Sequence, residues 1–201
     1  MKNYKLFIFD LDGVIFDTKS NMRQSWNSVK KKHNLKIPFE NYFLLIGTPF
    51  KKILKKLGIY KNINEISTTY SEASKKNINL VKIYPGVKKV LLELRKSSKV
   101  AVVTSKEKKR ARFFLKKFDL KFDSVSCPER GKRGKPYPDQ ILKVIRRFNL
   151  KKRDCVYVGD MKVDFTAANN AKIDFILANY GYEKKIMSKV IKINKFIDLI
   201  K

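Results

Sequence analysis

The stretch from Lys5 to Gly13, KLFIFDLDG, decides the fold of this chain. Its first half is a short, continuous apolar run, which predicts a strand buried on both faces. Two carboxylates, Asp10 and Asp12, end the run, so a polar loop begins where the strand stops. The run is too short for a secretion signal or a membrane span, and we expect no membrane partner.

Similar apolar runs recur along the chain and alternate with helical patterns. They predict further strands at residues 100–103, 155–158, 173–177 and 190–193. The patterns between them predict helices at residues 87–96, 106–117, 138–147 and 165–171. Because nearly continuous Val and Ile strands that alternate with helices form sheets covered on both faces, we expect an α/β fold with a doubly wound parallel sheet. Ligands bind such sheets beyond the carboxyl ends of the strands.

The segment after the first strand has a different pattern. Residues 17–79 contain no clear strand, and helical patterns follow one another at residues 21–32, 39–45, 49–57 and 63–77. We therefore expect a small helical domain at residues 17–80, inserted over the active edge of the sheet. The core domain then consists of residues 1–16 and 81–201. The loop at residues 47–50 is either a substrate-contacting loop or a plain break between two helices.

The composition is that of a globular protein. Of the 201 residues, 43% are hydrophobic and 12% are aromatic, which suffices for a buried core. The two cysteines, Cys127 and Cys155, lie far apart and have no neighbouring Cys or His. This pattern favours reduced thiols in a cytoplasmic protein over a disulfide or a metal site.

The formal charge of +29, from 47 Lys and Arg against 18 Asp and Glu, raises the question of a nucleic-acid partner. Lysines that neutralise phosphates release counterions and bind nucleic acids without specificity. In this chain, however, the lysines are scattered among abundant Asn, Ile and Phe, and no basic helix stands out. We interpret the charge as a compositional bias and expect no specific nucleic-acid partner. A positive surface would still steer anionic substrates toward a cleft.

Carboxylates follow two of the predicted core strands. Asp10 and Asp12 come after the first strand, and Asp160 and Asp164 come after the strand at residues 155–158. Carboxylates at one sheet edge repel one another unless a cation or a raised pKa relieves the repulsion. Oxygen ligands from two loops suit Mg²⁺. Each pair by itself is equally compatible with an ordinary turn or a helix cap.

Other polar residues fall at corresponding places. Thr104 and Ser105 follow the strand at residues 100–103, and Lys135 lies in a later loop. Taken alone, Thr104-Ser105 is also compatible with a helix N-cap, and Lys135 with a solvated turn. In combination with the carboxylates, these residue types fit phosphoryl transfer. A carboxylate attacks phosphorus, a second carboxylate serves the leaving oxygen, and a hydroxyl, a lysine and Mg²⁺ stabilise the phosphoryl charge.

Four ordered segments carry a resemblance to a known family. They are FDLDGVIFD at residues 9–17, VTSK at 103–106, GKPYPD at 134–139 and VGDMKVDFTAA at 158–168. In this order they resemble the four motifs of the haloacid dehalogenase (HAD) superfamily, and YPGV at residues 84–87 is typical of its phosphoglycolate phosphatase-like branch. The resemblance covers essentially the whole chain. It implies a HAD-like core, and it matches the helical insertion to a cap that closes over the substrate.

The resemblance implies roles for the four carboxylates. Asp10 would be the nucleophile and a metal ligand. Asp12 would be the general acid and base, with its backbone carbonyl on the metal. Asp160 would ligate Mg²⁺, and Asp164 would do so directly or through water.

The resemblance also implies a phosphate-binding set. Thr104 would bind phosphate together with the backbone of Ser105, and Lys135 would hold both the phosphate and the nucleophile. The cofactor implied is Mg²⁺, and the partner implied is a small phosphorylated substrate.

The function expected from this resemblance is Mg²⁺-dependent hydrolysis of a small phosphorylated metabolite, phosphoglycolate-like or a sugar phosphate, through an aspartyl-phosphate. The presence of Asp12 argues against a dehalogenase. Dehalogenases lack this second carboxylate because their reaction has no ester oxygen to protonate. A sugar phosphomutase is the alternative, although such enzymes usually carry an acidic pair where Gly159-Asp160 stands here. A nucleotidase and a non-catalytic nucleic-acid-binding protein are further alternatives. The sequence leaves the oligomeric state open.

Overall fold

The structure, a computed structural model, describes residues 2–129, 131–183 and 190–201. Within these ranges the chain forms eight strands, and their bounds are as follows: β1 Leu6–Phe9, β2 Phe16–Asp17, β3 Lys82–Ile83, β4 Lys99–Val103, β5 Ser124–Ser126, β6 Cys155–Gly159, β7 Asp174–Ala178 and β8 Ile191–Ile193. The described residues also form eight α-helices: α1 Lys19–Lys32, α2 Phe39–Phe43, α3 Phe50–Lys56, α4 Ile63–Lys76, α5 Val87–Leu94, α6 Lys108–Lys117, α7 Asp139–Arg147 and α8 Lys162–Ala171.

Six strands form one parallel sheet in the order β5-β4-β1-β6-β7-β8. The first strand of the chain therefore lies in the middle of the sheet, between β4 and β6. All four residues of β1 are buried, as a continuous apolar run predicts. Its side chains alternate between two hydrophobic clusters, since Phe7 and Phe9 belong to one cluster while Leu6 and Ile8 belong to the other.

Helices cover both faces of this sheet. Buried residues of α5 and α6, such as Val90 and Ala111, belong to the cluster that contains Phe9. Buried residues of α7 and α8, such as Val144 and Ala168, belong to the cluster that contains Ile8. The predicted α/β fold with a doubly wound parallel sheet is confirmed.

Several element boundaries differ from the predicted ones. The strand β5 was not predicted, because its three residues, Ser-Val-Ser, are too few and too polar to form an apolar run. The helix expected from residue 106 begins at Lys108, because Glu107 has an extended backbone with a ψ of 141°. The helix expected from residue 165 begins at Lys162, where Asp164 in its first turn accepts a hydrogen bond from the Met161 amide.

The helices α1 to α4, called the helical unit below, have a hydrophobic cluster of their own. Trp26 is fully buried in it, stacks on the Tyr42 ring at 4.8 Å, and donates a hydrogen bond to the Ile37 carbonyl at 3.0 Å. The antiparallel pair of β2 and β3, with Phe16 opposite Ile83, joins the chain entering the helical unit to the chain leaving it. The division into domains at residues 17–80 stays a prediction.

No helix in the described ranges combines the length and the apolar character that a membrane span requires.

Candidate active site

The carboxyl ends of three neighbouring strands bring the predicted site residues to one edge of the sheet. Asp10 follows β1, and its amide donates a hydrogen bond to the Val158 carbonyl of β6 at 3.0 Å. Thr104 follows β4, and Asp160 follows β6. Because β1 pairs with both β4 and β6, residues far apart in the chain become neighbours beyond these ends.

Three of the four predicted carboxylates form a buried cluster. Asp10, Asp160 and Asp164 are buried, and one carboxylate oxygen from each lies within 4.8 Å of the others. The pKa of Asp10 is raised to about 7, chiefly by burial and also by the charges of Asp164 and Asp12, against the opposing effect of Lys135. Burial and the charge of Asp164 also raise the pKa of Asp160 well above its ordinary value. The cluster therefore holds its charge only with help from cations.

Lys135 supplies one of these cations. Its Nζ lies 2.9 Å from Asp10 Oδ2 and 2.6 Å from Asp164 Oδ1, and its side chain is almost completely buried. Burial by itself lowers the pKa of this lysine, but the attraction of Asp10 and Asp164 outweighs burial and raises the pKa above its ordinary value. Lys135 is therefore a fixed positive charge that bridges two of the three clustered carboxylates.

The same cluster fits a divalent metal ion. Asp10 Oδ1 and Asp160 Oδ1 are both buried and lack a hydrogen-bond partner among the described residues. The oxygens of Asp164, in contrast, accept hydrogen bonds from Lys135 Nζ at 2.6 Å and from the Met161 amide at 3.1 Å. Buried carboxylate oxygens without a donor are costly unless a cation satisfies them, and an all-oxygen set suits Mg²⁺. Asp10 and Asp160 are thus the two residues with oxygens free for a metal.

Two glycines allow the backbone to close around these carboxylates. Gly13 has a φ of +82°, and a Cβ at this position would lie 2.0 Å from Asp160 Oδ2. At Gly159 a Cβ would lie 2.4 Å from the Cβ of Asp164. Both positions therefore need glycine because a side chain would displace an acidic group.

Asp12, the fourth predicted carboxylate, points its oxygens to other partners. Thr18 Oγ1 donates a hydrogen bond to Asp12 Oδ1 at 2.7 Å, and Lys106 Nζ lies 3.0 Å from Asp12 Oδ2. Its side chain keeps 18% of its surface exposed, whereas the side chain of Asp10 keeps 5%. Asp12 therefore lies beside the buried cluster, on the side that faces a cleft.

Lys106 is a site residue to which the sequence assigned no role, although it is part of the VTSK motif. Its side chain is buried, and its Nζ lies 4.6 Å from the centre of the Phe114 ring. Burial lowers the pKa of Lys106 to about 8, although the nearby Asp12 favours the charged form. A lysine in a basic chain gives no signal of burial, and only its position after the strand end could have singled it out.

Thr104 and Ser105 lie at the end of β4. Thr104 is buried, and its Oγ1 accepts a hydrogen bond from the Lys106 amide at 3.1 Å, so it caps this turn rather than the helix α6 itself. Ser105 Oγ donates a hydrogen bond to the Gly47 carbonyl at 2.6 Å. The loop at residues 47–50 of the helical unit is thereby attached to the end of β4.

A cleft of about 570 Å³ lies between the sheet edge and the helical unit. Asp10, Asp12, Thr104 and Ser105 line it from the sheet side. The helical unit contributes the loop at residues 47–50 and polar residues of α4, while Lys106 of the turn after β4 and Arg110 of α6 complete the lining. A cleft of this size admits a small metabolite.

The comparisons with known proteins agree with this architecture. A family model described as haloacid dehalogenase-like hydrolase matches residues 7–178. A phosphorylated carbohydrates phosphatase of Thermotoga maritima is 28% identical over 177 residues, covering 84% of this chain and 82% of the relative. A phosphoglycolate phosphatase of Haemophilus influenzae is 28% identical over 199 residues, covering 91% and 89%. The crystal structure of CbbY from Rhodobacter sphaeroides in complex with phosphate has the same fold, with a TM-score of 0.85 at 18% identity, covering 98% of this chain and 96% of CbbY.

The chain therefore belongs to the haloacid dehalogenase-like hydrolases, which confirms the resemblance seen in its motifs. Within that family it is a phosphatase, a phosphoric monoester hydrolase. The structure brings Asp10, Lys135, Asp160 and Asp164 into direct proximity, with Asp12, Thr104 and Ser105 around the same cleft. The individual roles of these seven residues stay predictions.

Proposed function

We propose that the chain hydrolyses the phosphate ester of a small metabolite in an Mg²⁺-dependent reaction through an aspartyl-phosphate on Asp10. The observation that supports this proposal best is the state of the Asp10 carboxylate. One of its oxygens lies against Lys135, and the other is buried without a hydrogen-bond partner among the described residues. Such a carboxylate is fixed in position: Oδ1 stays open to a metal ion, and Oδ2, which Lys135 holds in place, keeps a further lone pair for an electrophile.

In the first step, a carboxylate oxygen of Asp10 forms a bond to phosphorus while the bond from phosphorus to the substrate's ester oxygen breaks. Asp12 gives its proton to the leaving oxygen, so the leaving group departs as an alcohol. In the second step, Asp12 takes a proton from water, and the water oxygen attacks phosphorus. The bond between phosphorus and Asp10 breaks, and inorganic phosphate is released. The cleft-side position of Asp12 supports this role because it is open to the leaving group.

The remaining residues hold charge and exclude water. Lys135 favours the ionised form of Asp10 and orients it, and it offers a donor to the phosphoryl oxygens. Thr104 and the backbone of Ser105 would bind the same group from the end of β4. The link from Ser105 to the Gly47 carbonyl supports a closed position of the helical unit over the cleft.

Asp10 and Asp160 would hold the Mg²⁺ ion together with the backbone carbonyl of Asp12, and Asp164 would contribute directly or through water. When bound, Mg²⁺ supplies positive charge that offsets the acidic cluster and the phosphoryl oxygens. The two unpartnered buried oxygens, Asp10 Oδ1 and Asp160 Oδ1, support this assignment.

The substrate proposed is a phosphoglycolate-like acid or a sugar phosphate, as the names of the relatives suggest for those proteins. The alternative is a sugar phosphomutase with the same intermediate. The lack of space at Gly159 favours hydrolysis over the mutase reaction. The first acidic residue of the pair that is usual in such mutases would stand at this position, and its side chain would collide with Asp164. The two buried free thiols of Cys127 and Cys155 support a cytoplasmic location.

Turnover of p-nitrophenyl phosphate tests this proposal. We expect Mg²⁺-dependent activity that chelation abolishes, and a loss of at least about a thousandfold in kcat for Asp10→Asn. The matched control is Asp119→Asn, which removes an exposed carboxylate and should keep full activity. If folded Asp10→Asn retained metal-dependent turnover, the proposed nucleophile would be wrong.

A further inference from the structure

Arg110 is a buried cation in the cleft. It lies in the first turn of α6 and keeps only 7% of its surface exposed, yet it lines the same cleft as Asp10 and Asp12. Among the described residues its guanidinium group forms no ion pair with a carboxylate, and its buried Nε has no hydrogen-bond partner. Three other arginines, Arg23, Arg95 and Arg133, each contact a carboxylate instead.

The neighbours of Arg110 do not neutralise it. Its guanidinium lies 4.8 Å from the centre of the Tyr70 ring, a cation–π contact that offsets only part of the cost of burial. The Tyr70 hydroxyl is already hydrogen-bonded to the Tyr42 hydroxyl at 2.8 Å. Lys106 is a second buried cation nearby, and the charge of Arg110 contributes to its lowered pKa. Lys106 is paired with Asp12, whereas Arg110 has no anionic partner in the part of the chain that the structure describes.

We propose that Arg110 binds a second anionic group of the substrate, a carboxylate or a second phosphate, while Asp10 takes the phosphoryl group. This inference rests on the proposed function. It narrows the substrate class to phosphorylated acids or diphosphates and disfavours phosphate esters that carry no second charge. An anion would complete the guanidinium's hydrogen bonds in a site shielded from water. Its binding would also relieve the repulsion between Arg110 and Lys106.

Arg110 is positioned well for such selection. It belongs to α6 of the core, which follows the phosphate-binding turn at Thr104 directly, and it meets the helical unit through Tyr70 of α4. A substrate group that reaches Arg110 therefore lies at the boundary between the two parts of the protein. Exposed charges of both signs, such as Lys109 and Glu72, also line the cleft, but water screens them.

The test compares substrates that differ only in the second group. 2-Phosphoglycolate carries a carboxylate where 2-hydroxyethyl phosphate carries an uncharged alcohol, and pyrophosphate carries a second phosphate. We expect wild-type kcat/KM to be higher for one of the two anionic substrates than for hydroxyethyl phosphate. In Arg110→Gln the kcat/KM for that substrate should fall about tenfold to a hundredfold, chiefly because KM rises. The kcat/KM for hydroxyethyl phosphate should change by less than about threefold. The anionic substrate whose kcat/KM falls more shows whether the group that Arg110 binds is a carboxylate or a phosphate.

Two further variants control for structure. Arg112→Gln removes an exposed arginine from the same helix and should leave the ratio of the substrates unchanged. Arg110→Lys keeps the charge and should restore part of the preference. An equal loss for charged and uncharged substrates in Arg110→Gln would mean that Arg110 only joins α6 to Tyr70, and the inference would be overturned.

Binding measurements separate this inference from the proposed function. Calorimetric titration of the Asp10→Asn protein with 2-phosphoglycolate, with pyrophosphate and with hydroxyethyl phosphate reports affinity without turnover. We expect the same preference for the anionic ligand, and we expect Arg110→Gln in that background to abolish it. Absence of any preference would overturn the role of Arg110 even in an active phosphatase. Absence of p-nitrophenyl phosphate hydrolysis would instead contradict the proposed function.

Discussion

Lys106 Nζ lies 3.0 Å from Asp12 Oδ2, in a pair that joins the loop after β1 to the loop after β4. The lysine side chain is 1% exposed, whereas that of Asp12 is 18% exposed. A rigid cation therefore holds the more accessible carboxylate from one side, while Thr18 Oγ1 holds its other oxygen. This arrangement fixes the direction in which Asp12 can exchange a proton with a group in the cleft.

Loss of the contact from Lys106, which orients Asp12, should impair the acid step selectively. We expect Lys106→Met to lower kcat about tenfold to a hundredfold for an alkyl phosphate, whose leaving oxygen needs a proton. The loss should be smaller for p-nitrophenyl phosphate, because nitrophenolate leaves without protonation. Steady-state kinetics with both substrates measure this difference.

Lys108→Met is the matched control, since it removes an exposed lysine at the start of α6. It should change neither rate. Equal losses for alkyl and aryl substrates in Lys106→Met would show that the lysine supports the fold of the site and does not position Asp12.

The pH dependence of stability should reveal the acidic cluster in metal-free protein. The pKa of Asp10 is raised to about 7 in the folded protein, from an ordinary value near 3.8. The folded state thus binds a proton more tightly than the unfolded state. This contribution to stability is fully present below about pH 4 and is lost as the pH rises through 7.

We therefore expect wild type to lose more stability than Asp10→Asn between pH 4 and pH 7 when no metal is present. Added Mg²⁺ should raise the wild-type melting temperature more at pH 8 than at pH 5, because protons compete with the metal for the same oxygens. Thermal melts with and without chelator measure both effects. If Mg²⁺ raised the melting temperature by the same amount at both pH values, a metal site that includes Asp10 would be contradicted.

The sequence predicted the parallel sheet, except for β5, and polar residues at its strand ends, because these features depend on local patterns. Buried strands such as β1 appear as continuous apolar runs, and Asp10 and Asp160 stand directly at strand ends. The sequence did not predict the burial of Lys106 and Arg110. In a chain with 47 Lys and Arg, a buried cation looks like any other until the fold brings a carboxylate or a cleft to it.

The contact from Ser105 Oγ to the Gly47 carbonyl should help to close the helical unit over the cleft. We expect Ser105→Ala to raise KM about threefold to tenfold, with a smaller effect on kcat, because the backbone of Ser105 is retained. Ser97→Ala, which changes an exposed serine after α5, is the control. A large fall in kcat with unchanged KM would indicate that the hydroxyl acts on the phosphoryl group instead.

Gly13 and Gly58 offer a matched pair that separates backbone strain from damage to the acidic cluster. Both have a positive φ, +82° and +79°, so alanine is strained at either position. At Gly13 a Cβ would also lie 2.0 Å from Asp160 Oδ2, whereas nothing lies within 4 Å of a Cβ at Gly58. We expect Gly58→Ala to cost about 1 kcal/mol of unfolding free energy with full activity. Gly13→Ala should cost more, about 2–4 kcal/mol. It should also lose the stabilisation by Mg²⁺, because the displaced Asp160 no longer offers its oxygens to the metal. Urea unfolding with and without Mg²⁺ measures both quantities, and equal responses of the two variants to the metal would refute the position assigned to Asp160.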